Sequence, residues 1–196
     1  ETDCCQRIAH WCENTVTHLP AIESLSSSLK SAGSYRAVIV LGSATYLSQK
    51  HPPWVKELSD FLDQVITAGI PLLGICFGHQ LIGLKYGAKI ASLPKKELGF
   101  RLSHTAGPLG KQEGLLVVSH QEVLTSCPDE MTPILFSKKH PYDGLAHRSK
   151  PIWTCQAHPE ATESFCQNNQ VPYSSKTLDN AMVFGESIIK KFLALS

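Results

Sequence analysis

Apolar positions along the chain change their period several times, and each change marks an element. In "WVKELSDFLDQVITAG" the residues Val55, Leu58, Phe61, Leu62, Val65 and Ile66 recur at helical spacing. They share one face of a helix, with Pro53 suited to its first turn and Gly69 past its end. Continuous apolar runs, "AVIVLG" and "IPLLGIC", lie on either side. Without polar alternation they read as strands buried on both faces. A second helix follows in "GHQLIGLKYG", ending at Gly87. The order strand, helix, strand, helix predicts a right-handed parallel α/β sheet.

The flanking regions are shorter in period. From Gln6 to Glu13 the residues Ile8, Ala9, Trp11 and Cys12 predict a helix, and "TVTHLPAI" a short extended segment. "ESLSSSLKSAGSYR" predicts a loop with a helical turn around Leu25 to Leu29. Beyond Ala88, "AKIASL", "ELGFRLSH", "EGLLVVSH", "PILFSKK", "DGLAHRS" and "IWTCQAH" read as brief strands of an antiparallel edge or second sheet. The polar stretch "ATESFCQNNQVPYSSKTLDN" reads as a loop, a candidate lid or docking surface. Leu178 to Leu195 closes the chain as a helix.

Composition narrows the functional classes. The 196 residues fit one α/β domain spanning 1–196, and 42% hydrophobic with 18% charged residues excludes a disordered scaffold. A net charge of +1 with scattered lysine pairs argues against nucleic-acid binding. No apolar run has the length of a membrane span, and "ETDCCQRIAH" lacks the form of a signal peptide, so the expected setting is cytoplasmic with no membrane partner. Seven cysteines, odd in number and without a C-x-x-C pair, support neither a disulfide framework nor a zinc site. No metal and no cofactor are expected.

One cysteine stands apart. Gly74, Cys76 and Gly78 form G-x-C-x-G at a strand-to-helix junction, the form of a nucleophile elbow. A tight turn there lifts the thiol above the strand ends, and glycines on either side let backbone approach. At a helix N-terminus the unpaired N–H groups favour thiolate over thiol, and one of them, that of Phe77, can face a developing oxyanion. A thiol nucleophile needs a base. His158 in "WTCQAHPEATE" is one candidate, because Pro159 keeps the segment extended and turns Glu160 toward the same side. His120 in "VVSHQEV" also ends a strand and is the other; His79, at a helix start, points along the axis. On these residues alone the base is His158 or His120.

"GICFGHQ" and "CQAHPE", about 80 residues apart, resemble the two signature motifs of class I glutamine amidotransferases, most of all the GMP synthetase amidotransferase domain and its stand-alone relatives. "AVIVLGS", "ELGF", "SHQEV" and the terminal helix extend the likeness. The resemblance implies a flavodoxin-like, doubly wound α/β fold: a mostly parallel sheet with flanking helices and a small antiparallel section. It implies Cys76, His158 and Glu160 as a catalytic triad, and Phe77 with the Gly42–Ser43 loop as the oxyanion hole. Gln80 would contact glutamine, and Ser119, His120 and Gln121 would present backbone to its amino and carboxylate groups. The substrate is then glutamine or a γ-glutamyl compound, and the ammonia is accepted by a partner synthetase.

Two features depart from the family. Gly42, Ser43 and Ala44 stand where it has a Gly-Gly-Pro or Gly-Pro-Gly loop, which makes the backbone flip that presents an oxyanion donor harder or regulated. The family also opens with a buried strand, whereas this chain begins where the first helix begins; either the numbered sequence is a fragment or the sheet lacks that strand. Three functions fit these residues: a glutaminase, a γ-glutamyl peptide hydrolase of the same chemistry, and a catalytically silent regulatory module.

Overall fold

A computed structural model describes residues 2–12, 14–20 and 35–195. Its elements are α1 (Thr2–Ala9), β1 (Val38–Val40), α2 (Pro53–Thr67), β2 (Leu72–Ile75), α3 (Phe77–Lys85), β3 (Ile90–Thr105), β4 (Glu113–Leu124), β5 (Met131–Phe136), β6 (Gly144–His147), β7 (Ile152–Cys155), α4 (Glu163–Asn168) and α5 (Ser175–Leu193). The strands form one sheet in the order β1-β2-β7-β6-β5-β3-β4. β1, β2 and β7 pair in parallel, and the remaining neighbours are antiparallel. The α/β class expected from the sequence holds. The antiparallel section is larger than expected, because β3 and β4 run long and pair along most of their length.

The parallel part follows the apolar pattern closely. All four residues of β2 are buried, since helices cover both of its faces. Leu72 packs with Leu58, Phe61, Leu62 and Val65 of α2 and Ile82 of α3. Leu73 and Ile75 pack on the opposite side with Trp153 of β7 and Ile188 and Phe192 of α5. Helix α2 starts with Pro53 in its first turn and ends before Gly69, whose φ is +70°, as the proline-in, glycine-out pattern requires.

Several boundaries differ from the sequence reading. The N-terminal helix runs over Thr2–Ala9, earlier than Gln6 to Glu13. "AKIASL" and "ELGFRLSH" are one strand, β3, whose register on β4 shifts between Ser92 and Glu97; the irregularity makes one element look like two in the sequence. The helical turn expected around Leu25 to Leu29 lies outside the described residues.

The segment after His158 corrects a larger expectation. It is not a loop: Thr162 caps α4 by accepting a hydrogen bond from the Phe165 N–H at 3.1 Å, and Ser174 caps α5 in the same way. Phe165, Cys166 and Val171 are buried with Cys4 of α1, Val117 of β4, and Leu178 and Ala181 of α5. Its few apolar residues are brought together by the short helix α4, the turn after it and the start of α5, a pattern diluted by the polar residues between them. Among the described residues no helix is long and apolar enough to cross a membrane.

Candidate active site

Cys76 sits between β2 and α3 with φ 52° and ψ −101°. Positive φ is costly for a residue with a Cβ, so surrounding structure must hold it. The Cys76 N–H donates to the Cys155 carbonyl at 2.8 Å, and its carbonyl accepts from the Gln80 N–H at 3.1 Å. Gly78 lets α3 lie directly against β1: a methyl there would overlap the Val40 carbonyl oxygen and come within 2.9 Å of the Val40 Cβ. The elbow read from the two glycines is therefore present. As first residue of α3, Phe77 has an N–H with no partner inside the helix.

Across the turn lies His158, 4% exposed, with Glu160 at 2%. The His158 N–H donates to the Val117 carbonyl at 2.8 Å, an isolated antiparallel bridge to β4. Its ring Nδ1 bonds to Glu160 Oε1 at 2.8 Å, while Nε2 is buried with no hydrogen-bond partner. Gly42 marks how close the two halves are: a Cβ built on it would lie 3.1 Å from His158 Cε1 and 3.7 Å from Cys76 Cβ. Burial lowers the proton affinity of His158, but the negative charges of Glu160 and Cys76 outweigh it and raise the pKa to about 10.

The raised value has a sign. A histidine held above its ordinary 6.5 contributes stability that is fully present below that pH and is lost as pH rises through about 10. The melting temperature of the wild type is therefore expected to fall between pH 7 and 10.5 more steeply than that of His158→Asn. Parallel curves in thermal scans over that range would contradict the charged His158.

His120 and His79 behave oppositely. Burial, then the Arg101 guanidinium, pushes His120 down to about 3, and burial alone does the same for His79. Arg101 Nη2 donates to His120 Nε2 at 3.1 Å, and the guanidinium is itself held by Asp143 at 2.6 Å and by Glu97. His79 Nδ1 bonds to the Thr154 hydroxyl at 2.8 Å, away from the thiol. Of the two base candidates open in the sequence, His158 alone has an environment that favours its protonated form.

A cavity of about 200 Å³ is lined by Cys76, His158, Glu160, Gly42, Ser43, Gln80, Ser119, His120 and Gln121. Phe77 does not line it, its ring being buried against Trp54 with centroids 5.5 Å apart. Gln80 Nε2 donates to the Glu122 carbonyl at 2.7 Å and to Gln156 Oε1 at 3.2 Å.

The structure adds residues that the sequence reading missed. Gln156 Nε2 lies 3.6 Å from Cys76 Sγ; its place two residues before His158 is the local signal for it, since residues two apart in extended chain share a face. Lys96, Glu122, Phe165 and Asn169 also line the cavity, and the Phe165 ring packs on His158 at 4.5 Å. Arg7 of α1 donates to the carbonyls of Ala161 and, at 2.7 Å, Met182, pinning the chain just after Glu160. Nothing in the local sequence signals these long-range contacts. Among the described residues no cluster of three or more His, Cys, Asp or Glu is arranged to hold a metal ion.

A thiol at a strand-to-helix elbow, facing a buried histidine–carboxylate pair, defines the class as an α/β protein with a cysteine elbow. Residues 6–170 match the family described as Glutamine amidotransferase class-I, and the chain belongs to that family. It is similar to GMP synthase [glutamine-hydrolyzing] of Campylobacter hominis, 31% identical over 109 residues, covering 53% of this chain and 21% of that protein. The same enzyme of Yarrowia lipolytica is 33% identical over 105 residues, covering 51% and 20%. The chain thus spans about a fifth of the length of these relatives.

Solved structures share the fold. A Thermoplasma acidophilum protein assigned as a GMP synthase subunit superposes with a TM-score of 0.73 at 19% identity, over 97% of this chain and 85% of that one. A glutamine amidotransferase of Thermotoga maritima superposes with 0.62 at 16% identity, over 80% and 76%.

Proposed function

We propose that this chain, as one amidotransferase-type domain, hydrolyses the side-chain amide of glutamine to glutamate and ammonia through a thioester on Cys76. The observation that supports it most is the convergence of Cys76 and the His158–Glu160 pair on one small cavity. The Cys76 thiolate attacks the amide carbon, and the resulting oxyanion is met by the Phe77 N–H and backbone of the Gly42–Ser43 loop. His158 Nε2 gives its proton to the departing nitrogen as the C–N bond breaks and ammonia leaves. Water, deprotonated by the now neutral His158 Nε2, then attacks the thioester, releasing glutamate and restoring the Cys76 thiolate and the charged His158. Glu160 holds the ring in the tautomer that leaves Nε2 facing the reaction and stabilises its charged form. Gln80 contacts the substrate amide region, and backbone at Ser119, His120 and Gln121 receives its amino and carboxylate groups.

The relatives named GMP synthase support a second part of the reading: ammonia passes to a synthetase domain or subunit outside these residues. A cytoplasmic setting accords with that role. One observation favours the alternative γ-glutamyl peptide hydrolase. A groove of about 640 Å³ adjoins the cavity and shares Lys96 with it, leaving room for a leaving group larger than ammonia.

Glutamate release, measured separately from glutamine and from γ-glutamyl dipeptides, tests these readings. Turnover of glutamine supports the first, preference for dipeptides the second, and silence toward both, alone and with a synthetase added, leaves a binding module.

A further inference from the structure

The loop between β1 and α2 carries Gly42 and Ser43 beside Cys76 near its start, and at its middle two successive amides bond one side chain. Glu122 of β4 is 2% exposed. Its Oε2 accepts the Leu47 N–H at 2.7 Å and its Oε1 the Ser48 N–H at 3.1 Å. A buried carboxylate is costly unless its oxygens are satisfied, and here two loop amides supply that satisfaction. Beside it the Tyr46 hydroxyl donates to Gln121 Oε1 at 3.2 Å, and inside the loop the Thr45 N–H donates to Ser43 Oγ at 3.1 Å. The backbone carbonyl of Glu122 also receives Gln80 Nε2 at 2.7 Å. One residue therefore ties together the loop, β4 and the helix that follows Cys76.

We propose that Glu122 is a positioning residue, whose carboxylate clamps Leu47 and Ser48 and so sets where the Gly42–Ser43 backbone lies relative to Cys76. This rests on the reading of that loop as an oxyanion donor. β1 holds one end of the connection and the clamp divides it in half, so the short stretch from Leu41 to Tyr46 is fixed at both ends. The clamp gives a physical answer to the missing glycines. A loop written Gly-Ser-Ala, less free to flip than a glycine-rich one, is kept in place from within the chain and needs no partner to set it.

The consequence falls on the transition state. An oxyanion donor acts most strongly where negative charge develops, so displacing it lowers kcat more than it raises KM. Glu122→Gln keeps the shape but turns one acceptor into a donor facing an N–H. For this variant kcat on glutamine is expected to fall about 10- to 100-fold with KM changed less than about threefold. Glu122→Asp, which keeps both acceptors, restores part of that loss. Alkylation of Cys76 by iodoacetamide stays within about twofold of wild type, since the thiol and His158 are untouched, while amide exchange at Leu47 and Ser48 accelerates. An active wild type with unchanged kcat in Glu122→Gln overturns the proposal, as does a joint loss of kcat, KM and alkylation rate, which marks a merely structural residue. A wild type inert toward both glutamine and γ-glutamyl dipeptides instead defeats the amidase reading, and unchanged exchange at Leu47 and Ser48 in Glu122→Gln then overturns the clamp on its own.

Discussion

Replacing Cys76 by alanine is expected to lower glutamine turnover by about 10⁴-fold or more while leaving the melting temperature within a few degrees of wild type. The size follows from the role proposed for Cys76 as the nucleophile. Without a nucleophile the remaining donors and binding contacts accelerate only attack by water, and groups that act as a unit lose most of their effect when one is removed. The small thermal effect follows from position. Cys76 is buried, but its place is held by backbone hydrogen bonds to Cys155 and Gln80, which alanine keeps, and alanine meets the same cost at positive φ as cysteine. Ammonia release retained at more than a hundredth of the wild-type rate would remove Cys76 from the reaction. Any other thiol would then need consideration, yet Cys4, the other cysteine lining the cavity, is pushed up to about 12 by burial and by Glu160, which keeps it protonated.

The second large effect is expected at Gly185, in the middle of α5. A methyl there would overlap the Pro159 carbonyl oxygen and lie 2.8 Å from the Pro159 Cα. Pro159 sits between His158 and Glu160, so the helix touches the chain that spaces the two groups. Backbone cannot swing aside as a side chain does, and forcing an added methyl into a packed site costs about 1–3 kcal/mol. An exposed helix interior would instead gain up to about 1 kcal/mol from Gly→Ala. The sign of the change therefore distinguishes the two situations. Gly185→Ala is expected to lower the unfolding free energy by about 2 kcal/mol in denaturant titrations, and to reduce kcat as the His158–Glu160 hydrogen bond is disturbed. A variant as stable as wild type, or more so, would show that α5 does not press on Pro159.

Much of the parallel half of the fold is legible in the chain alone. The apolar runs of β1 and β2 and the one-sided helix α2 need only period and punctuation, because each buries a face that its own sequence displays. The elbow is legible for the same reason: Gly74 and Gly78 are local markers of a tight turn, and Cys76 sits at that turn with φ 52°. The His158–Glu160 pair follows from extended spacing around Pro159, whereas His158 and His120 differ only in environment. The two histidines look alike in the sequence, yet an arginine bonds one and a carboxylate the other.

What the sequence by itself determined was most of the local conformation of the parallel half and the candidate reactive groups, since both depend on neighbours within a few positions. The tertiary structure decided the rest. It brought Glu122 to the amides of Leu47 and Ser48, Arg7 to the carbonyl of Ala161, and Phe165 onto the His158 ring. Most of these contacts join residues far apart in the chain, and no periodicity encodes them, because they exist only once burial of the sheet's faces has fixed which segments meet. The "LGSAT" loop shows the division most clearly: its residues are local, whereas the carboxylate that bonds the Leu47 and Ser48 amides just beyond it comes from β4.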